Sequence, residues 1–133
     1  MIYCLDTDTC IFALRGRFPS LEKWFQKLSV DHIKIPSIVQ AELVLGALKS
    51  SSPKDSLHAV EKLLEPFEII AFGSHEAIVY AKIKADLERN GSLIGPNDLI
   101  IVATTMTRQA TLVTHNTKEF SRVNGLLVED WTE

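Results

Sequence analysis

The 133-residue sequence has only two cysteines, Cys4 and Cys10. Both fall in apolar stretches and read as small buried thiols in a reducing compartment rather than as halves of a disulfide framework. No apolar run approaches the ~18 residues that a membrane-crossing helix needs. Met1 to Asp6 has no basic lead and meets an acid at once, which argues against a secretory leader. A cytoplasmic protein without membrane association is therefore expected. The four histidines, His32, His58, His75 and His115, show no zinc-ligand spacing. A Gly-x-x-x-x-Gly-Lys phosphate loop is absent, which argues against hydrolysis of nucleoside triphosphates. Repeats, low-complexity segments and linkers are also missing. The net charge of −3 lacks the basic excess by which nucleic-acid binders usually announce themselves.

What is present suits one globular domain over residues 1–133. The chain is 46% hydrophobic and 23% charged, and this length buries roughly two thirds of the extended surface. Ile2 to Leu5 is apolar throughout, as in a strand covered on both faces. Thr7, Asp8 or Thr9 can cap a following helix, and Pro19 opens another through Leu21, Trp24, Phe25 and Leu28. Further strands are expected at 32–36, 68–72, 111–114 and 126–128. Helices are expected at 38–49, 54–64 and 76–89. Gly95-Pro96 leads into one more helix, capped by Asn97 or Asp98, whose run Leu99 to Ala103 leaves no polar face. Alternation of this kind predicts a three-layer α/β/α sandwich with a central parallel sheet of four to five strands.

Acids gather at one edge of that sheet. Asp6 ends the first strand, at the carboxyl edge where open α/β sheets bind ligands. Glu42 projects from the helix after the second strand, between Ile38, Leu45 and Gly46, and a carboxylate on an apolar flank needs a partner. Asp98 opens the helix before the fourth strand, although alone it reads equally well as a cap. Asn116 and Glu119 follow the fourth strand. Carboxylates converging in this way repel one another unless a cation holds them, and oxygen-only ligands select Mg²⁺ or Mn²⁺ before Zn²⁺. One or two such ions suit phosphodiester hydrolysis. With four of the 17 acids set aside on metal, the other 13 face 14 Lys and Arg, so the remaining surface is nearly neutral.

These residues resemble the PIN-domain ribonucleases, and among them the VapC toxins of bacterial toxin–antitoxin pairs. The resemblance is carried by Leu5-Asp6-Thr7-Asp8, by Ser37 to Leu43 around Glu42, by Gly95-Pro96-Asn97-Asp98, and by Leu112 to Phe120. Val123-Asn124-Gly125-Leu126 and Glu129-Asp130-Trp131 extend it nearly to the end of the chain. It implies that Asp6, Glu42 and Asp98 bind metal, with Asn116 or Glu119 completing the set. Many members carry Asp where Asn116 stands, and Asn or Ser where Asp8 stands. Thr7, Asp8 and Thr114 would support the ligands. The resemblance further implies Mg²⁺- or Mn²⁺-dependent endonucleolytic cleavage of RNA, with tRNA a common target, a homodimer, and inhibition by a cognate antitoxin. Arg15, Arg17, Lys82 and Arg89 are candidate RNA contacts on charge and expected position alone.

Two alternatives stay open at this point. Asp6-Thr7-Asp8-Thr9 also resembles the start of haloacid dehalogenase-type phosphatases, with Asp6 as nucleophile, although Cys10 and the absence of a Gly-Asp-x-x-x-Asp segment do not fit. Asn116 leaves room for a non-catalytic member that only binds its antitoxin or RNA.

Overall fold

The computed structural model describes residues 1–133. Five short strands form one parallel sheet: β1 (Tyr3–Leu5), β2 (Ile33–Pro36), β3 (Glu68–Ile70), β4 (Thr111–Val113) and β5 (Leu127–Glu129). Their order in space is β3-β2-β1-β4-β5, so β1 lies at the centre. Tyr3 pairs with Ile33 on one side and Thr111 on the other, and Leu5 pairs with Val113. The ladder runs one residue further, because the Asp6 N–H donates to Val113 O at 3.1 Å.

The first two connections step outward one way from β1: α1 (Thr7–Arg15) with α2 (Pro19–Lys27), then α3 (Ser37–Leu48) with α4 (Pro53–Leu64). The later connections, α5 (Ser74–Arg89) with α6 (Pro96–Thr107), then the single turn α7 (Thr117–Phe120), step the other way. Right-handed crossovers taken in opposite directions place the two helix sets on opposite faces of the sheet. The result is the expected three-layer sandwich. Successive residues of β1 show both faces. The Tyr3 ring packs edge-on against Trp131 at 5.1 Å and near Trp24 of α2, whereas the Cys4 thiol meets the Thr105 side chain of α6. Cys4 and Cys10 are free and buried. No helix is long and apolar enough to cross a membrane.

Several expected boundaries move by a residue or two, each for a local reason. α1 is capped by Asp6 rather than by Thr7, Asp8 or Thr9, since the Asp6 carboxylate accepts from the Thr9 N–H at 2.9 Å. α6 begins at Pro96 with Gly95 as its cap and no side-chain capping bond. Proline needs no N–H partner at a helix start, so it can take the first position. Asn97 and Asp98 therefore lie inside the first turn and do not cap it. α3 likewise starts at Ser37 with no side-chain cap.

α6 is the most deeply set helix. Leu99 and Ile101 to Thr105 are all buried, and the Thr104 and Thr105 hydroxyls satisfy themselves on the carbonyls of Ile100 and Ile101. The polar stretch Pro96 to Asp98 at its N-terminus is the part that reaches the carboxyl edge of the sheet.

Candidate active site

A cavity of about 260 Å³ opens at that edge, lined by Asp6, Thr7, Asp8, Glu42, Asp98, Asn116 and Phe120. Four separate connections feed it. Asp6 comes from the end of β1, Glu42 from the second turn of α3, Asp98 from the first turn of α6, and Asn116 from the residue before α7. Of the expected residues, Glu119 stands just behind the wall, where its carboxylate accepts from Asn116 Nδ2 at 2.6 Å.

Hydrogen bonds tie these side chains into two sets, one around Asp6 and Asn116 and one around Glu42. Asp6 is buried, accepts from Thr9, and takes a further bond from the Thr114 hydroxyl. Thr114 Oγ1 in turn accepts from the Asn116 N–H at 3.0 Å. Glu42 is held at both oxygens: Thr7 Oγ1 donates to Oε1 at 2.6 Å and Asn97 Nδ2 to Oε2 at 3.2 Å. Asp98 joins the first set through its side-chain contact with Glu119. Thr7 and Thr114 thus bond to carboxylates, whereas Asp8 lines the cavity itself. Asn97 reads from the sequence only as a possible cap. Its bond to Glu42 depends on where α3 meets α6, which no local pattern encodes.

The flank of Glu42 differs from the expectation. Leu45 is 55% exposed and Gly46 is also at the surface, so Glu42 sits half-buried at a rim rather than on a covered apolar face. Its two hydrogen bonds supply the partners that its position requires.

The electrostatics show the strain of collected charge. Burial first, then Glu119, then Asp6 and Glu42, push the Asp98 carboxyl up to about 6. Burial also raises Asp6, with Asp8 adding to it, while bonds from Thr114 and Thr9 pull the other way. No lysine, arginine or histidine lines the cavity to offset these acids. The donor set is carboxylate plus one amide, all oxygen, which fits a hard divalent cation. As they stand, no three acid, histidine or cysteine side chains close directly on one point. A cation here would therefore keep water in part of its shell, the habit of small, strongly hydrated dications.

The four expected RNA-contact cations do not gather. Arg15 borders an apolar groove that shares Glu42 with the acidic cavity, and Arg17 lies over the Phe12 ring at 5.8 Å. Lys82 and Arg89 line a different cavity, together with Arg122.

Comparison with known proteins agrees with this architecture. The chain is 37% identical over 132 residues to Ribonuclease VapC2 of Rickettsia felis, covering 98% of each. It is 35% identical to the tRNA(fMet)-specific endonuclease VapC of Salmonella typhimurium, covering 97% of each. Among solved structures, VapBC2 from Rickettsia felis bound to a DNA fragment from their promoter superposes with a TM-score of 0.93 at 36% identity, covering 98% of this chain and 99% of that one. DNA-bound VapBC from Salmonella typhimurium gives 0.94 at 34% identity, covering 98% of both. The PIN domain family model matches residues 3–126, which takes in all four connections that build the acidic cavity, and the chain belongs to that family.

Proposed function

We propose that the chain is a metal-dependent endoribonuclease toxin that hydrolyses RNA phosphodiester bonds, and that a cognate antitoxin holds it inactive. The observation that carries this reading is the cavity in which Asp6, Glu42 and Asp98 share one space with no cation of the protein's own. Relatives named ribonuclease and tRNA(fMet)-specific endonuclease support the activity and make tRNA the first substrate to test. All 133 residues form the one nuclease domain, and its site of action is the cytoplasm, where the free thiols of Cys4 and Cys10 stay reduced.

Asp6, Glu42 and Asp98 would hold Mg²⁺, with Mn²⁺ able to replace it, as one ion or two. Asn116 offers an amide oxygen that has no protein partner, and Glu119 supplies the charge behind it. When bound, the cation activates water and offsets charge on the phosphodiester. The protein's own residues do the rest. Thr7 and Asn97 fix the Glu42 carboxylate, Thr114 fixes Asp6, and Phe120 gives the cavity an apolar wall. Pre-set ligands of this kind avoid reorganisation during reaction.

Inhibition has a physical route. The apolar groove between α1, α3 and α4, lined by Ile11, Leu14, Leu43, Ala47 and Val60, runs up to Glu42. A partner segment lying there would cover the rim of the acidic cavity. The VapBC complexes among the structural relatives support such a partner, and a homodimer is part of the same reading.

The experiment is cleavage of total tRNA by the purified chain freed of antitoxin. Activity with Mg²⁺ or Mn²⁺ that a chelator abolishes is expected. RNA binding without cleavage under both metals would favour the non-catalytic alternative that Asn116 keeps open. A phosphoaspartate trapped on Asp6 would favour the phosphatase.

A further inference from the structure

We propose that a second cavity, between the end of α5 and the segment after α7, binds a backbone phosphate of the RNA away from the bond that is cut. It rests on the ribonuclease reading above and adds to it a subsite outside the acidic cavity. The cavity encloses about 320 Å³ and presents Lys82, Arg89 and Arg122 against the single acid Asp86, with Asn90 and Asn124 beside them. On a chain with a net charge of −3, three cations around one hollow are a local reversal of sign.

The cations are not equally committed. Arg89 donates to Asp86 at 2.6 Å, whereas Lys82 and Arg122 have no carboxylate partner among the ion pairs of the structure. Arg122 is nevertheless fixed, because its Nη1 donates to the Leu93 carbonyl at 2.9 Å. One bond of five possible donors holds the guanidinium in place and leaves the others for a ligand. A positioned guanidinium beside a free ammonium suits the oxygens of a phosphodiester.

Location identifies which phosphate. Phe120 lines the acidic cavity and Arg122 the basic one, and two residues of chain span at most ~7 Å. Leu93, which anchors Arg122, lies in the same loop that delivers Asn97 and Asp98. The linings of the two cavities are thus two residues of chain apart, close enough for one RNA strand to touch both within a short run of nucleotides. Acidic protein segments would find the cations too, but they have no reason to continue toward a cluster of carboxylates. A nucleic-acid backbone does, once a cation is bound there.

The test is RNA affinity of the full-length protein in EDTA, where nothing is cut, measured from low to moderate salt. Lys82→Gln and Arg122→Gln should each weaken binding about two- to fivefold and flatten the log Kd against log salt slope by roughly 0.7–0.9, the loss of one phosphate contact. Lys54→Gln on α4 serves as the charge control. Asp86→Asn should tighten binding and steepen the slope, a gain that misfolding cannot imitate. Turnover at saturating RNA should stay unchanged in the Lys54→Gln control. Equal affinities for wild type, Lys82→Gln and Asp86→Asn would overturn the subsite, as would an effect confined to antitoxin affinity. If wild-type protein binds RNA yet never cuts it with metal, the nuclease reading fails, while the affinities and salt slopes still decide for or against the subsite.

Discussion

Thr7 donates a 2.6 Å hydrogen bond to Glu42, so the first turn of α1 sets the orientation of a carboxylate 35 residues further along the chain. With Asn97 on the second oxygen, Glu42 has little freedom before any ligand arrives. Thr7→Val should leave Glu42 free to rotate at its rim. Losing a residue that orients a metal ligand costs about 10- to 100-fold in metal affinity or activity. Thr7→Ser should restore most of it. The check is Mg²⁺ dependence of tRNA cleavage for the three proteins, and an unchanged dependence in Thr7→Val would remove Thr7 from the supporting set.

Asp98→Asn should reduce cleavage at least about a hundredfold, as loss of a metal ligand requires. Because Asp98 takes no part in capping α6, the helix should survive the change. Circular dichroism and cleavage rate together check this, and full activity in the variant would end the assignment of Asp98.

Asp6→Asn separates charge from structure. Asparagine caps a helix start about as well as aspartate, so the bond from the Thr9 N–H should persist. One of the clustered charges disappears, and the metal-free protein should melt about 3–5 °C higher, in keeping with relief of ~1 kcal/mol. The same variant should lose the stabilisation that Mg²⁺ gives the wild type. Calorimetry with and without metal tests both halves, and a lower melting point without metal would argue against electrostatic crowding.

The pH dependence of the metal-free protein follows from Asp98. Its carboxyl titrates near 6 in the fold and near its ordinary value, about 3.9, when unfolded. Between those values the folded chain keeps a proton that the unfolded chain releases, so stability rises as pH falls from 7 toward 5. Asp6, also raised by burial, acts in the same direction. Water reaches Asp98, and screening reduces the gain to ~1 kcal/mol. Saturating Mg²⁺ should abolish or invert the trend, because a bound cation favours the ionised acids. Urea midpoints at pH 5 and pH 7, with EDTA or Mg²⁺, decide the matter.

Trp131 tests the fold apart from the site. It is 1% exposed and stacks on Trp24 with ring centroids 4.8 Å apart, while its carbonyl accepts from Ser20 Oγ at 2.9 Å. Trp131→Ala should cost about 3–5 kcal/mol. Denaturant unfolding should show that loss, and cleavage below the new midpoint should persist.

The layering and strand content can be read along the chain because each buried strand and amphipathic helix is a local pattern. Tyr3 to Leu5 and Leu99 to Val102 announce burial by composition alone. The capping of α1 cannot be resolved in the same way, since Asp6, Thr7, Asp8 and Thr9 are all competent caps and only the β1–β4 ladder selects Asp6. Asn97 reaches Glu42, and Arg122 reaches Leu93, through crossings of distant segments that leave no periodic trace. Helical spacing alone puts Glu42 on an apolar flank, with Leu45 facing inward. The exposure of Leu45 depends on how α3 rolls against α4, a packing choice rather than a propensity.

The central place of β1 also governs timing during synthesis. Its neighbour β4 and the Asn116–Glu119 turn leave the ribosome more than a hundred residues after Asp6, and until then one side of β1 has no strand to complete it. Translation thus delivers Asp6, Glu42, Asp98 and Asn116 one after another, and they can line a single cavity only when the chain is nearly complete.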